Sequence, residues 1–134
     1  MKKTDLTILS LLTLLLITVV SCDDTITGTE IDKIQIPGRN VSYQEYIEPV
    51  LQIKCANNGC HDAISGAGGI VLVTHAHTTR DVSIVFPYNP DNSRLVWAIE
   101  GQTGTIMPPL GYYPLTANQV EGIKTWISEG AQNN

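Results

Sequence analysis

Positive charge is scarce in this chain. Eight Lys and Arg stand against thirteen Asp and Glu, a formal net charge of −5 at pH 7. Nucleic acid calls for a basic face, so that class of partner is excluded, whereas an encounter with a basic protein is permitted. Cysteine is scarce as well, three in 134 residues, and methionine scarcer still, two with the initiator included. There is no internal repeat and no low-complexity tract. No apolar run reaches the roughly 20 residues that a spanning helix needs. The longest runs from Leu6 to Val20 and is broken by Thr7, Ser10, Thr13 and Thr18.

That run is a leader and not part of a fold. Lys2 and Lys3 precede it, with Asp5 an acidic intrusion, and Val19-Val20-Ser21-Cys22 follows it. A charged start, an apolar middle and a small residue before the cut mark an export signal. An uncleaved membrane anchor is the competing reading. Cys22 after a small residue resembles a bacterial lipobox, with Val19 where that motif most often has Leu. The resemblance implies a signal peptide over 1–21, cleaved before Cys22, and an acylated Cys22 as mature N-terminus. Losing Lys2, Lys3 and Asp5 leaves six basic and twelve acidic residues, a net charge of −6. Residues 22–41 are polar and aperiodic, with Ile31, Ile34 and Ile36 their apolar cluster. They are expected to form a flexible tether, with a short strand or packing on the domain edge as the alternative for the isoleucines, and 42–134 one small domain with a modest core.

Within that domain, Ser42-Tyr43-Gln44-Glu45 is a capping box. Tyr46, Ile47, Val50, Leu51 and Ile53 follow at helical spacing and predict a helix over about 43–54, kinked or interrupted at Pro49. Ser65 to Gly69 reads as a Gly/Ala loop. Ile70 to Val73 is a short apolar run, strand or packed loop. Asn92 or Ser93 caps a short helix whose apolar face is Leu95, Val96 and Ile99, and Gly101 ends it. Gly104 to Pro114 holds too many breakers for regular structure. Thr116-Ala117-Asn118-Gln119 is a second capping box, opening a helix over about 117–129, with Gly130 at the place of a C-terminal glycine cap.

The chemistry concentrates in Lys54-Cys55-Ala56-Asn57-Asn58-Gly59-Cys60-His61. A cysteine pair closed by an adjacent histidine reads as a site of covalent haem attachment. The usual gap between the cysteines is two residues; here it is four. Asn57, Asn58 and Gly59 tolerate unusual backbone angles, so the loop can bulge. Three other readings compete. One is a Cys55–Cys60 disulfide in an exported protein. The second is a zinc site of Cys55, Cys60, His61 and either His75 or His77. The third is a redox thiol pair, which lacks its usual two-residue gap and context.

Haem iron in electron carriers commonly takes His on one side and Met on the other. The mature chain has a single methionine, Met107, pinned in Ile106-Met107-Pro108-Pro109. The order is then specific: Cys-Cys-His behind a helix, a Gly-rich loop, Ser-Arg-Leu-Val-Trp, Met-Pro-Pro, and a Leu-Thr-capped helix ending Trp126-Ile127-Ser128-Glu129-Gly130-Ala131. This resembles the single-haem class I cytochrome c, in particular the planctomycete-type cytochrome c domain of bacterial envelope lipoproteins, over about residues 42–131.

The resemblance implies an all-α, cytochrome c-like fold, its terminal helices packed on one another beside a single covalent haem c. It implies thioether bonds at Cys55 and Cys60, His61 as proximal ligand and Met107 as distal ligand. His75 or His77 is the alternative distal ligand. Arg80 and Arg94 are candidate partners of the haem propionates, and Trp97 and Trp126 candidate pocket walls. The expected function is one-electron transfer with a redox partner protein, without a small-molecule substrate or catalysis, from a lipid-anchored position in the cell envelope. It would sit on a periplasmic or outer-membrane face. The alternatives are a non-haem envelope lipoprotein with a Cys55–Cys60 disulfide, and a peroxidase-like enzyme should Met107 be displaced.

Overall fold

The computed structural model describes residues 27–134. The expected signal peptide and the acylation site Cys22 lie outside the described residues. Within them the chain is helical and no strand is formed. The helices are α1 (Gly28–Ile31), α2 (Glu48–Lys54), α3 (His75–Thr78), α4 (Arg94–Ile99) and α5 (Ala117–Ser128). A π-helical turn, Tyr43–Ile47, leads into α2, and 3-10 turns occur at Ala67–Gly69 and Pro90–Asn92. Ile70 to Val73 is irregular, which settles the strand-or-loop choice.

The π turn is the answer to Pro49. Proline lacks an N–H and its ring clashes with the carbonyl four residues back. The chain opens the turn before it, so that the Glu48 N–H reaches Tyr43 O, and α2 starts afresh with Pro49 in its first turn. Ser42 accepts from the Glu45 N–H, which is the serine half of the expected capping box.

Both ends of α5 follow the sequence. Thr116 accepts from the Gln119 N–H, and Gln119 Oε1 accepts from the Thr116 N–H. At the other end Gly130 N–H bonds Ile127 O and Ala131 N–H bonds Trp126 O. That paired pattern needs a left-handed residue between, and Gly130 supplies it at φ 102°.

The core lies where the Tyr43–Ile47 turn and α2 meet α5. Tyr43, Ile47, Leu51, Ile123, Trp126 and Ile127 are all buried. The Tyr43 and Trp126 rings stand 5.2 Å apart. Burial pushes the Tyr43 hydroxyl up to about 12, and Thr78 gives it a hydrogen-bond partner at 3.3 Å. The π turn therefore packs on α5.

Residues 27–41 correct the expected tether. Ile31, Ile36 and Val41 are buried in the same core. Asn118 clasps Ile36 at both its N–H (2.8 Å) and its C=O (3.0 Å). Glu129 accepts from the Asn40 and Val41 N–H groups. The segment looks aperiodic because its partners lie on α5, more than eighty residues away, and impose no local period.

Gly122 makes this contact possible. A Cβ there would stand 2.6 Å from Ile36 Cγ2. Overpacking of this kind costs roughly 1–3 kcal/mol, so Gly122→Ala should lower the urea midpoint accordingly. Combining it with Ile36→Ala should return part of that loss, a coupling that a double-mutant cycle reads directly. Strict additivity would show that Ile36 is not the neighbour that gives way.

Candidate functional site

The loop after α2 is tied tightly enough to present its side chains in fixed directions. Asn57 Nδ2 donates to Ile53 O at the end of α2. Cys60 N–H bonds Asn57 O at 2.8 Å, and His61 N–H returns to Cys55 O at 3.1 Å. The four-residue gap is thus closed into a compact bulge, with Gly59 at φ 84° turning it. Asp62 holds it from outside, accepting from the N–H groups of Gly59, Ile64 and Ser65.

Those bonds, the Ser65 N–H first, then Ile64, lower the Asp62 carboxyl to about 2. A carboxylate depressed in the fold contributes order that is complete above its unfolded value of ~3.9 and fades as pH falls toward the folded one. The protection factors of the Gly59, Ile64 and Ser65 amides, taken relative to intrinsic exchange at each pH, should therefore fall between pH 4 and 2, and Asp62→Asn should remove that change. An unchanged profile in Asp62→Asn would assign the acid sensitivity elsewhere.

Cys55 is buried and Cys60 half-buried, and neither is in a disulfide. Burial pushes the Cys55 thiol up to about 12, beyond the relief the Lys54 cation gives it. A thiol so held is protonated at neutral pH and a poor nucleophile, which speaks against the redox-pair reading. Among the described residues no group of three or more His, Cys, Asp or Glu could hold a bare metal ion. The zinc reading is overturned: His75 bonds Ala131 O through Nε2 at 2.8 Å, and Thr74 Oγ1 lies 2.9 Å from His77 Nδ1.

Two adjoining cavities open beside the bulge. One, about 210 Å3, is lined by Cys55, His61 and Met107 together with Ile70, Leu72, Ile84, Leu95, Ala98 and Ile99. The other, about 400 Å3, adds Cys60, Lys54, Pro108, Pro109 and Tyr112, and shares Cys55, His61, Arg94 and Met107. The four residues singled out from the sequence therefore surround one largely apolar space. Met107 is held there by its N–H bond to Ala98 O at the end of α4 (2.9 Å).

This site fits a haem on the chemistry of its donors. His61 Nδ1 lies 3.1 Å from Ile70 O. A carbonyl can only accept, so Nδ1 carries the proton and Nε2 is left with its lone pair. Metal-binding histidines are oriented in this way. A thioether, a second soft donor, lines the same space, and two thiols stand at its wall.

Other expected residues fall elsewhere. Trp126 belongs to the core and Trp97 donates to Asp91 O, so neither lines these cavities. His75 and His77 do not line them either. Arg94 does, while Arg80 and His77 line a polar recess that adjoins through Ile70, Ile84 and Arg94.

Lys54 was missed in the sequence. Its side chain is fully buried and its ammonium bonds the Asp32 carboxylate and Pro114 O. The signal was there: Ile47, Val50, Leu51 and Lys54 share one helical face, so a charge had been placed on the apolar side. Asp62 was missed too, three residues before a serine in a turn-rich stretch.

The sequence model of a family described as planctomycete cytochrome C matches residues 58–111. The match runs from the bulge through Cys60, His61 and α4 to just beyond Met107, and bears out the resemblance read from the motifs. It supports a cytochrome-like domain with a haem cofactor. No curated protein and no solved structure matches the chain.

Proposed function

We propose that this domain is a one-electron carrier holding a single haem c, attached covalently through Cys55 and Cys60, with His61 and Met107 as axial ligands. The observation that carries the reading is the convergence of those four side chains on one apolar cavity, with His61 Nδ1 committed to Ile70 O. Bound there, a haem supplies a one-electron iron couple.

Each residue then has a physical task. The Ile70 carbonyl holds the imidazole in one tautomer and one orientation. Ile70, Leu72, Ile84, Leu95 and Ile99 keep water from the centre. The Asp62 loop sets the spacing of the two thiols. Arg94, at the rim of both cavities, offers a fork of donors to carboxylates. With His61 and Met107 both holding the iron, no position would remain for a substrate, and the protein is read as a carrier and not an enzyme. Its partners are redox proteins, with neither nucleic acid nor a small-molecule substrate. Acylation at Cys22 would tether it to a membrane in the cell envelope, on a periplasmic or outer-membrane face.

Haem-dependent peroxidase staining of a denaturing gel tests the central point. Protein from a host competent in cytochrome maturation should stain, and Cys55→Ser with Cys60→Ser should abolish the stain. An unstained band of the intact protein would sink the proposal and leave a haem-free lipoprotein domain in its place.

A further inference from the structure

The fold reaches back to Thr27, so only Asp23, Asp24, Thr25 and Ile26 separate Cys22 from described structure. At ~3.3–3.6 Å per residue, an extended chain from Cys22 to Thr27 spans at most about 18 Å. A lipid on Cys22 would hold the surface around Thr27 against the bilayer, whatever conformation the linker adopts.

That surface is next to the Met107 loop. A Cβ on Gly28 would stand 3.6 Å from the Tyr113 ring. Lys54 links the end of α1, through Asp32, to Pro114 O at the end of the same loop. The loop exposes large apolar side chains: Leu110 is 95 % exposed, Tyr113 65 %, Tyr112 57 % and Ile106 48 %. It also carries no charge. From Gly101 to Val120 there is no Asp, Glu, Lys, Arg or His, in a chain of net charge −5. Apolar side chains that cost free energy in water, two tyrosines suited to a boundary between apolar and wet, and absence of charge are what a bilayer interface accepts.

We propose that the Ile106–Tyr113 loop docks on the lipid surface, so that the Met107 side of the cavity faces the membrane. This rests on the reading of Cys22 as an acylated residue. Electron exchange through that side would then take place at the bilayer boundary, with a partner lying in or on the membrane.

The test uses the full-length lipoprotein reconstituted on phosphatidylcholine vesicles, compared with full-length Cys22→Ser protein in the same suspension. Hydrogen exchange at Leu110, Gly111 and Tyr113 should be slowed at least tenfold in the anchored protein. Leu110→Asp with Tyr113→Asp should remain on the vesicles but lose that protection. Both replaced side chains are exposed, so the fold tolerates the change, which unaltered exchange in α5 would verify. Equal exchange with and without the anchor would overturn lipid docking and assign the patch to a protein partner. A missing diacylglycerol mass on Cys22 would overturn the anchor itself, and the docking with it.

Discussion

Replacing Asp32 by alanine is expected to cost about 3 kcal/mol of folding stability. Asp32 lies in the stretch that reads as a tether, yet it is the counter-ion of a fully buried ammonium. Without it, Lys54 would keep one carbonyl, Pro114 O, and no negative charge. Removing one partner of a buried pair costs ~3–5 kcal/mol because the remaining charge is uncompensated. Asp32 is itself 33 % exposed, so water can reach the vacated position, which places the expectation at the lower end. The urea midpoint should fall while the slope stays unchanged. Lys54→Met is the informative contrast. It removes the buried charge and leaves Asp32 with Gln119 Nε2 at 3.1 Å and with solvent, so its cost should be much smaller. Equal losses in the two variants would mean that the contacts of the segment, and not the ion pair, carry the effect.

The same pair explains what the sequence conceals. Local signals were legible wherever the chain satisfies its own backbone. The Thr116 box and the glycine at 130 do so within a few residues as expected, and the serine half of the Ser42 box does so too. The candidate site residues were legible because a histidine directly after a cysteine pair and a lone methionine before two prolines stand out in the chain, and the structure brings Cys55, Cys60, His61 and Met107 to one space. What stayed hidden is tertiary. Ile31, Ile36 and Val41 become core only because Asn118, Gly122 and Glu129 present a surface to them. Trp126 packs on Tyr43, a residue of the π turn, and does not line the cavity. Neither fact has a trace in local periodicity. Lys54 lies between the two cases, visible on its helical face and interpretable only once Asp32 is in view.

The largest functional change is expected from Met107→Ala. Covalent haem should be retained, since the thiols and His61 are untouched. The absorption band of Met–iron coordination should vanish, and the reduction potential should fall. Axial ligands command a range of ~0.8 V, so a fall on the order of 0.1 V is a modest expectation for losing a thioether. The two histidines provide the control. His75 is spent on Ala131 O and stands edge-on to Tyr43 at 4.9 Å, while His77 Nδ1 faces Thr74 Oγ1. Neither lines the cavity that holds Met107 and His61. His75→Ala and His77→Ala should therefore leave the band in place, His75→Ala with some loss of stability through its contacts with Tyr43 and the chain end. A band that survives Met107→Ala would exclude the thioether as ligand. If His77→Ala then removed it, the wall formed by Ile70, Ile84 and Arg94 between the cavity and the His77 recess would have to open when the haem is bound. That rearrangement would be at odds with an Ile70 carbonyl already holding His61 in place.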